Sequence, residues 1–89
     1  MQQTGQNFRL LISFGETSTP DQQAQIMNGA RQAMQQAGSQ VTGSEHLVNV
    51  GMRIFRGQTN NPSALQTFAG TTNQQTGVQN CEVDVLKPK

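Results

Sequence analysis

Tryptophan and tyrosine are absent from this chain, cysteine and histidine occur once each, and charged side chains make up only 12% of its 89 residues. Each shortage excludes something. A single cysteine, Cys81, rules out an internal disulfide and a multi-cysteine metal cluster. A single histidine, His46, leaves too few imidazoles for a metal site whose ligands come in threes or fours. Six Lys and Arg against five Asp and Glu give a formal net charge of +1. There is neither a basic stripe to follow phosphates nor an acidic tail. The longest apolar run is the three residues Leu10, Leu11 and Ile12, too short for a membrane-spanning helix. The opening MQQTGQNFRLLISFG lacks a basic segment followed by a long apolar one, so no leader is expected and the cytoplasm is the default location. No cofactor is implied.

What is present is polar but mostly uncharged. Gln and Asn fill nearly a quarter of the chain, and hydrophobic residues make up 33%, a low share for a soluble domain. A chain of this size forms one domain with one modest core, built here from Phe, Leu, Ile, Val, Met and Ala. Such a core is marginal alone and gains from pairing with another surface. A net charge near zero removes one barrier to self-association.

Residues 1–7 are polar and predict a disordered N-terminus, leaving 8–88 as the folded domain. Phe8, Leu10, Ile12 and Phe14 then alternate with Arg9, Leu11 and Ser13, the period of a half-buried strand. Next comes a helix with its start written into it. Thr19 can cap, Pro20 suits the first position, and Gln22 completes a capping box. Ile26, Met27, Ala30, Ala33, Met34 and Ala37 fall within an arc of about 120°, a core-facing stripe, and Gly38 stops the helix. Gly29 in its middle costs roughly 1 kcal/mol against Ala, which suggests a close backbone approach.

Residues 40–42 predict a short strand and Gly43-Ser44 a turn or bulge. The run EHLVNVGMRIFRG (45–57) reads as one two-faced strand. His46, Val48, Val50, Met52 and Ile54 are assigned to the core; Leu47, Asn49, Gly51, Arg53 and Phe55 face away. A shorter helix follows, capped by Asn61, begun by Pro62 and stopped by Gly70. Residues 70–80 are rich in Thr, Gln and Asn and read as a mobile loop. Cys81, Val83 and Val85 alternate with Glu82, Asp84 and Leu86 in a last strand.

The order strand, helix, strand, strand, helix, strand is that of an α+β, ferredoxin-like split βαβ sandwich, an antiparallel sheet with two helices on one face. The first and third strands are the most apolar and belong in the middle. The second is short and the fourth charged, as edge strands are. A single long bent strand over 41–56 would instead leave a three-stranded sheet in need of a partner.

Catalytic candidates are thin. Glu45 and His46 are adjacent in a strand, so their side chains diverge and cannot act on one atom. Cys81 lies on the apolar side of its strand and reads as a buried, inert thiol. The segment 15–20 before the first helix has one glycine, no lysine and a glutamate, unlike a phosphate loop. No catalytic residue is assigned, no motif is specific enough to name a family, and an enzyme is the less favoured class. The stronger signal is a surface. Leu11, Leu47, Phe55 and Leu86 on the uncovered sheet face would form an apolar patch, rimmed by Arg9, Arg53, Glu82 and Asp84. The leading expectation is a non-enzymatic interaction module that binds a second copy or another protein through Arg9, Leu11, Leu47, Arg53, Phe55 and Leu86. The composition also suits a small accessory or structural protein of a mobile element or phage. One alternative is a small-ligand or enzymatic domain using His46 and Arg53. Another is a weak single-strand nucleic-acid binder, for which one aromatic, Phe55, with Arg53 beside it and Arg9 as a second arginine, is the argument and the sparse basic surface a counter-argument.

Overall fold

The computed structural model describes residues 5–86. Strand β1 (Gln6–Phe14) leads to helix α1 (Pro20–Gln36), then β2 (Gln40–Leu47), a 3-10 turn (Val48–Val50), β3 (Met52–Thr59), α2 (Pro62–Thr72) and β4 (Val78–Leu86). The four strands form one antiparallel sheet in the order β2-β3-β1-β4. Both helices pack on one face of it, and the core lies between. This is the ferredoxin-like α+β sandwich expected from the order of elements. No described helix is long and apolar enough to cross a membrane.

Helix α1 forms where its sequence directs. The Thr19 hydroxyl accepts from the Gln22 N–H at 3.1 Å, and the Gln22 side chain accepts from the Thr19 N–H at 3.0 Å, closing the capping box. At the other end Ser39 N–H bonds to Met34 O and Gly38 N–H to Gln35 O. Gly38 takes the left-handed φ of 67° that this helix-ending motif requires and glycine supplies without a Cβ clash. The buried stripe is Ile26, Met27, Ala30, Met34 and Ala37, with Ala33 half-buried beside it. It packs on Phe8, Leu10, Ile12 and Phe14, all buried, from the inward side of β1.

Several boundaries differ from the sequence reading. Gln6 and Asn7 are strand, paired with Thr59 and Gln58 of β3, because central strand β1 is held on both sides; residues 1–4 and 87–88 lie outside the described part. The second strand is separate and eight residues long, which removes the three-stranded alternative. Gly70 does not stop α2. Leu65, Ala69 and Thr72 are all buried, an i, i+4, i+7 stripe that carries the helix two residues further. The stretch 70–80 is thus the end of α2, a turn and the start of β4. Asn73 holds that turn in place. Its side-chain amide accepts from the Cys81 N–H at 2.7 Å and donates to the Cys81 carbonyl, closing the outer edge of β4 there.

The largest correction concerns β3. Leu47 pairs with Met52, and Leu10 with Phe55. Residues directly opposite share a face, and each pair joins an odd with an even number. Four residues, 48–51, turn the chain between β2 and β3, so the alternation of one strand is inverted on the next. Phe55 is therefore buried in the core, 7% exposed, and Arg53 also faces the helix side. Met52 and Ile54 face away. Val48 and Val50, assigned to the core, sit exposed at the hairpin tip.

A bulge at Thr42 shifts the register of β2 against β3. Opposite it stands Gly57, where an added Cβ would lie 2.0 Å from the Gln40 carbonyl oxygen. The backbone would have to move, so Gly57→Ala is expected to cost about 3 kcal/mol in a denaturant melt. At Gly29 the result is opposite. An added Cβ would meet only Phe68 Cε1 at 3.5 Å, ordinary contact, so helix packing does not demand glycine. Gly29→Ala is expected to stabilise by about 0.5–1 kcal/mol in the same assay.

Candidate functional site

The helices leave one sheet face uncovered, and the register orders its side chains into rows. Leu47, Met52, Ser13 and Asn80 form one row across β2, β3, β1 and β4. Glu45, Ile54, Leu11 and Glu82 form the next; Arg56, Arg9 and Asp84 the third; Gln58, Asn7 and Leu86 the last. Leu11 and Ile54, directly opposed on the two central strands, are half-buried. Leu47 and Leu86 stand 42% and 49% exposed at opposite edges.

Two like charges sit side by side here. Arg9 and Arg56 are cross-strand partners, an arrangement that repels. Each turns to an acid on its own flank. Arg9 donates to Asp84 Oδ2 at 3.0 Å, and Arg56 pairs with Glu45. Both pairs are about half exposed, so each contributes little to stability, on the order of 0–1 kcal/mol. Their effect is on the surface: the charges are neutralised within the chain.

Of the residues expected on this face, Arg9, Leu11, Leu47 and Leu86 are there, while Phe55 and Arg53 are not. Met52, Ile54 and Arg56 take their places. The signal for the swap was Asn49-Val50-Gly51, a turn sequence inside an apparently continuous strand. No aromatic side chain lies on the open face, since Phe8, Phe14 and Phe55 are buried and Phe68 packs on the helix side, against Gly29 of α1. The stacking platform used by RNA-recognition modules is thereby missing.

His46 and Arg53 do come together. They are cross-strand partners on the helix side of the sheet, beyond the edge of the helical layer, where His46 is exposed. Arg53 borders a cleft of about 360 Å³ with Pro20, Gln23, Ala24, Met27, Asn28 and Arg31 of α1.

Comparison with known proteins adds the fold. The crystal structure of At3g17210 from Arabidopsis thaliana, treated by ensemble refinement, superposes with a TM-score of 0.53 at 15% identity, covering 94% of this chain and 95% of that one. This likeness is one of fold. No family model matches the chain, and no curated protein gives a significant match.

The remaining candidates are structurally occupied. Ser18 Oγ donates to Gly15 O at 2.8 Å and accepts from Gln23 Nε2 at 2.9 Å, so the loop before α1 satisfies itself. Among the described residues no three His, Cys, Asp or Glu side chains are grouped to hold a metal. Cys81 is 1% exposed, and burial, helped by the Glu82 charge, pushes its thiol up to about 11. A nucleophilic cysteine needs the opposite shift. Because the thiol ionises more easily in the unfolded chain, the folded state binds the extra proton between pH 9 and 11. Stability is therefore expected to hold below pH 9 and to fall as pH rises through that window. Folded protein is expected to resist iodoacetamide at pH 8 and to react fully in 6 M guanidinium, by mass spectrometry; rapid labelling of the native state contradicts this.

Proposed function

We propose that this chain is a protein–protein interaction module that forms a homodimer through its open sheet face. The observation carrying the proposal is the Leu11–Ile54 pair at the centre of a face that no element among the described residues covers. Met52 and Leu47 extend the apolar region toward β2. Small monomers seldom leave such a surface in water.

A second copy is the occupant favoured by charge and area. Among the described residues the face holds two cations, Arg9 and Arg56, and three acids, Glu45, Glu82 and Asp84, with both arginines already paired. It asks for no oppositely charged partner, and the chain's net charge of +1 scarcely opposes association. Four strands about 4.8 Å apart and roughly eight residues long give a footprint of about 500 Å² per copy. Two copies bury about 1,000 Å², the lower bound for a specific interface. The expected dimer is accordingly weak enough to depend on concentration.

Sedimentation equilibrium tests this directly. Wild-type protein is expected to shift from monomer to dimer across the micromolar range. Ile54→Glu, which sets a charge against the partner's apolar centre, is expected to remain monomeric with an unchanged far-UV spectrum. Phe55→Ser is no probe of this face, since removing a buried Phe costs core packing of about 3–5 kcal/mol. A wild-type chain that stays monomeric at millimolar concentration contradicts the proposal, as does a dimer untouched by Ile54→Glu.

A further inference from the structure

We propose that the cleft between α1 and β3 binds a small organic anion, a molecule with a carboxylate or phosphate head on an apolar body, held by Arg53 and Arg31. The site is on the opposite side of the sheet from the dimer face and does not depend on it.

The first argument is a count of charges. Four arginines lie among the described residues. Arg9 and Arg56 are ion-paired on the open face; Arg31 and Arg53 have no carboxylate partner there. These two border the same cleft. The acids are elsewhere. Glu45, Glu82 and Asp84 belong to the other face. Glu16 borders a different hollow at the strand ends, and Asp21 is exposed outside the lining. In a chain with almost equal numbers of acids and bases, one concavity has gathered positive charge alone.

The second argument is geometry. Pro20, Ala24, Met27 and Arg31 recur at the spacing of one helix stripe and form one wall; Arg53, projecting inward from β3, forms the other. The cleft exists because β2 carries the sheet past the helical layer, leaving the flank of α1 without a neighbouring helix. Arg53 is half-buried. No acid lines the cleft beside it, and its guanidinium fork suits carboxylate and phosphate alike. Pro20, Ala24 and Met27 offer apolar contact beside the cations. The volume, about 360 Å³, is that of a small-molecule pocket. Arg31 donates to Asn28 Oδ1 at 3.4 Å, which aligns it along the wall without neutralising it.

Titration of ¹⁵N-labelled protein with benzoate, phenyl phosphate and inorganic phosphate is the test, read by amide chemical shifts. At least one phenyl anion is expected to give saturable shifts confined to residues 20–31 and 52–54, binding more tightly than inorganic phosphate. Whichever binds better names the head group. Arg53→Met is expected to weaken binding about tenfold or more, and Arg31→Met also to weaken it, with unchanged thermal melts. Should Arg53→Met fail to fold, Arg53→Lys keeps the charge without the fork and is expected to bind more weakly than wild type. No saturable shift at millimolar probe, no advantage of the phenyl anions over phosphate, or full affinity in a folded Arg53 variant overturns the proposal.

Discussion

Leu10 lies directly across from Phe55, and the fold hangs on that pairing. The two central strands share one register along their whole length, so fixing one pair fixes all of them. Once Leu10 and Phe55 face the helices, Phe8, Ile12, Gly57 and Thr59 must do so too. Leu11, Ile54, Arg9 and Arg56 must then face the other way. A slip of one residue would send Arg56 into the core and Phe55 into water. Burying an unpaired guanidinium costs several kcal/mol, and exposing Phe55 forfeits about 1.5–3 kcal/mol. Both costs oppose the slip, so the register is firmly set.

The helices are fastened to this pair of strands at its end. Thr59, fully buried, donates from its hydroxyl to the Ala37 carbonyl at 3.2 Å and accepts from the Asn61 N–H at 3.2 Å. One side chain at the close of β3 thus touches the last turn of α1 and the cap of α2. The same register that makes an apolar core also leaves two different surfaces. The open face is apolar at its centre, with both of its arginines paired to acids. The helix side, along the flank of α1, keeps Arg53 and Arg31 around a cleft lined by no acid.

Much of the architecture was legible in the sequence because its signals are local. Thr19, Pro20, Gln22 and Gly38 mark the ends of α1 by chemistry that operates within four or five residues. The alternation of Phe8 through Phe14 needs no knowledge of the rest of the chain. The element order then leaves few topologies. Where the reading went astray, the deciding fact was non-local. Val48 and Val50 continue a β-like alternation that outweighs the turn signal of Asn49-Val50-Gly51, and the pairing of Leu47 with Met52 shows that they are a turn. One misplaced turn inverted β3 and with it Arg53 and Phe55. The end of α2 was missed for a related reason. Thr72 looks like loop by composition, and only its burial against the sheet shows that it belongs to a helical stripe.

The clamp of Asn73 on Cys81 bears on how the sheet can grow. A chain of sheets joined edge to edge needs a vacant rim at both ends of every unit. Here one rim is stoppered midway by a side-chain amide that imitates a neighbouring strand, and the other is kinked by the irregularity at Thr42. Endless lateral stacking is thus obstructed at each margin. A protein poor in charge and rich in glutamine, a composition that favours strand-to-strand joining, therefore carries an obstacle to it at both rims of its sheet.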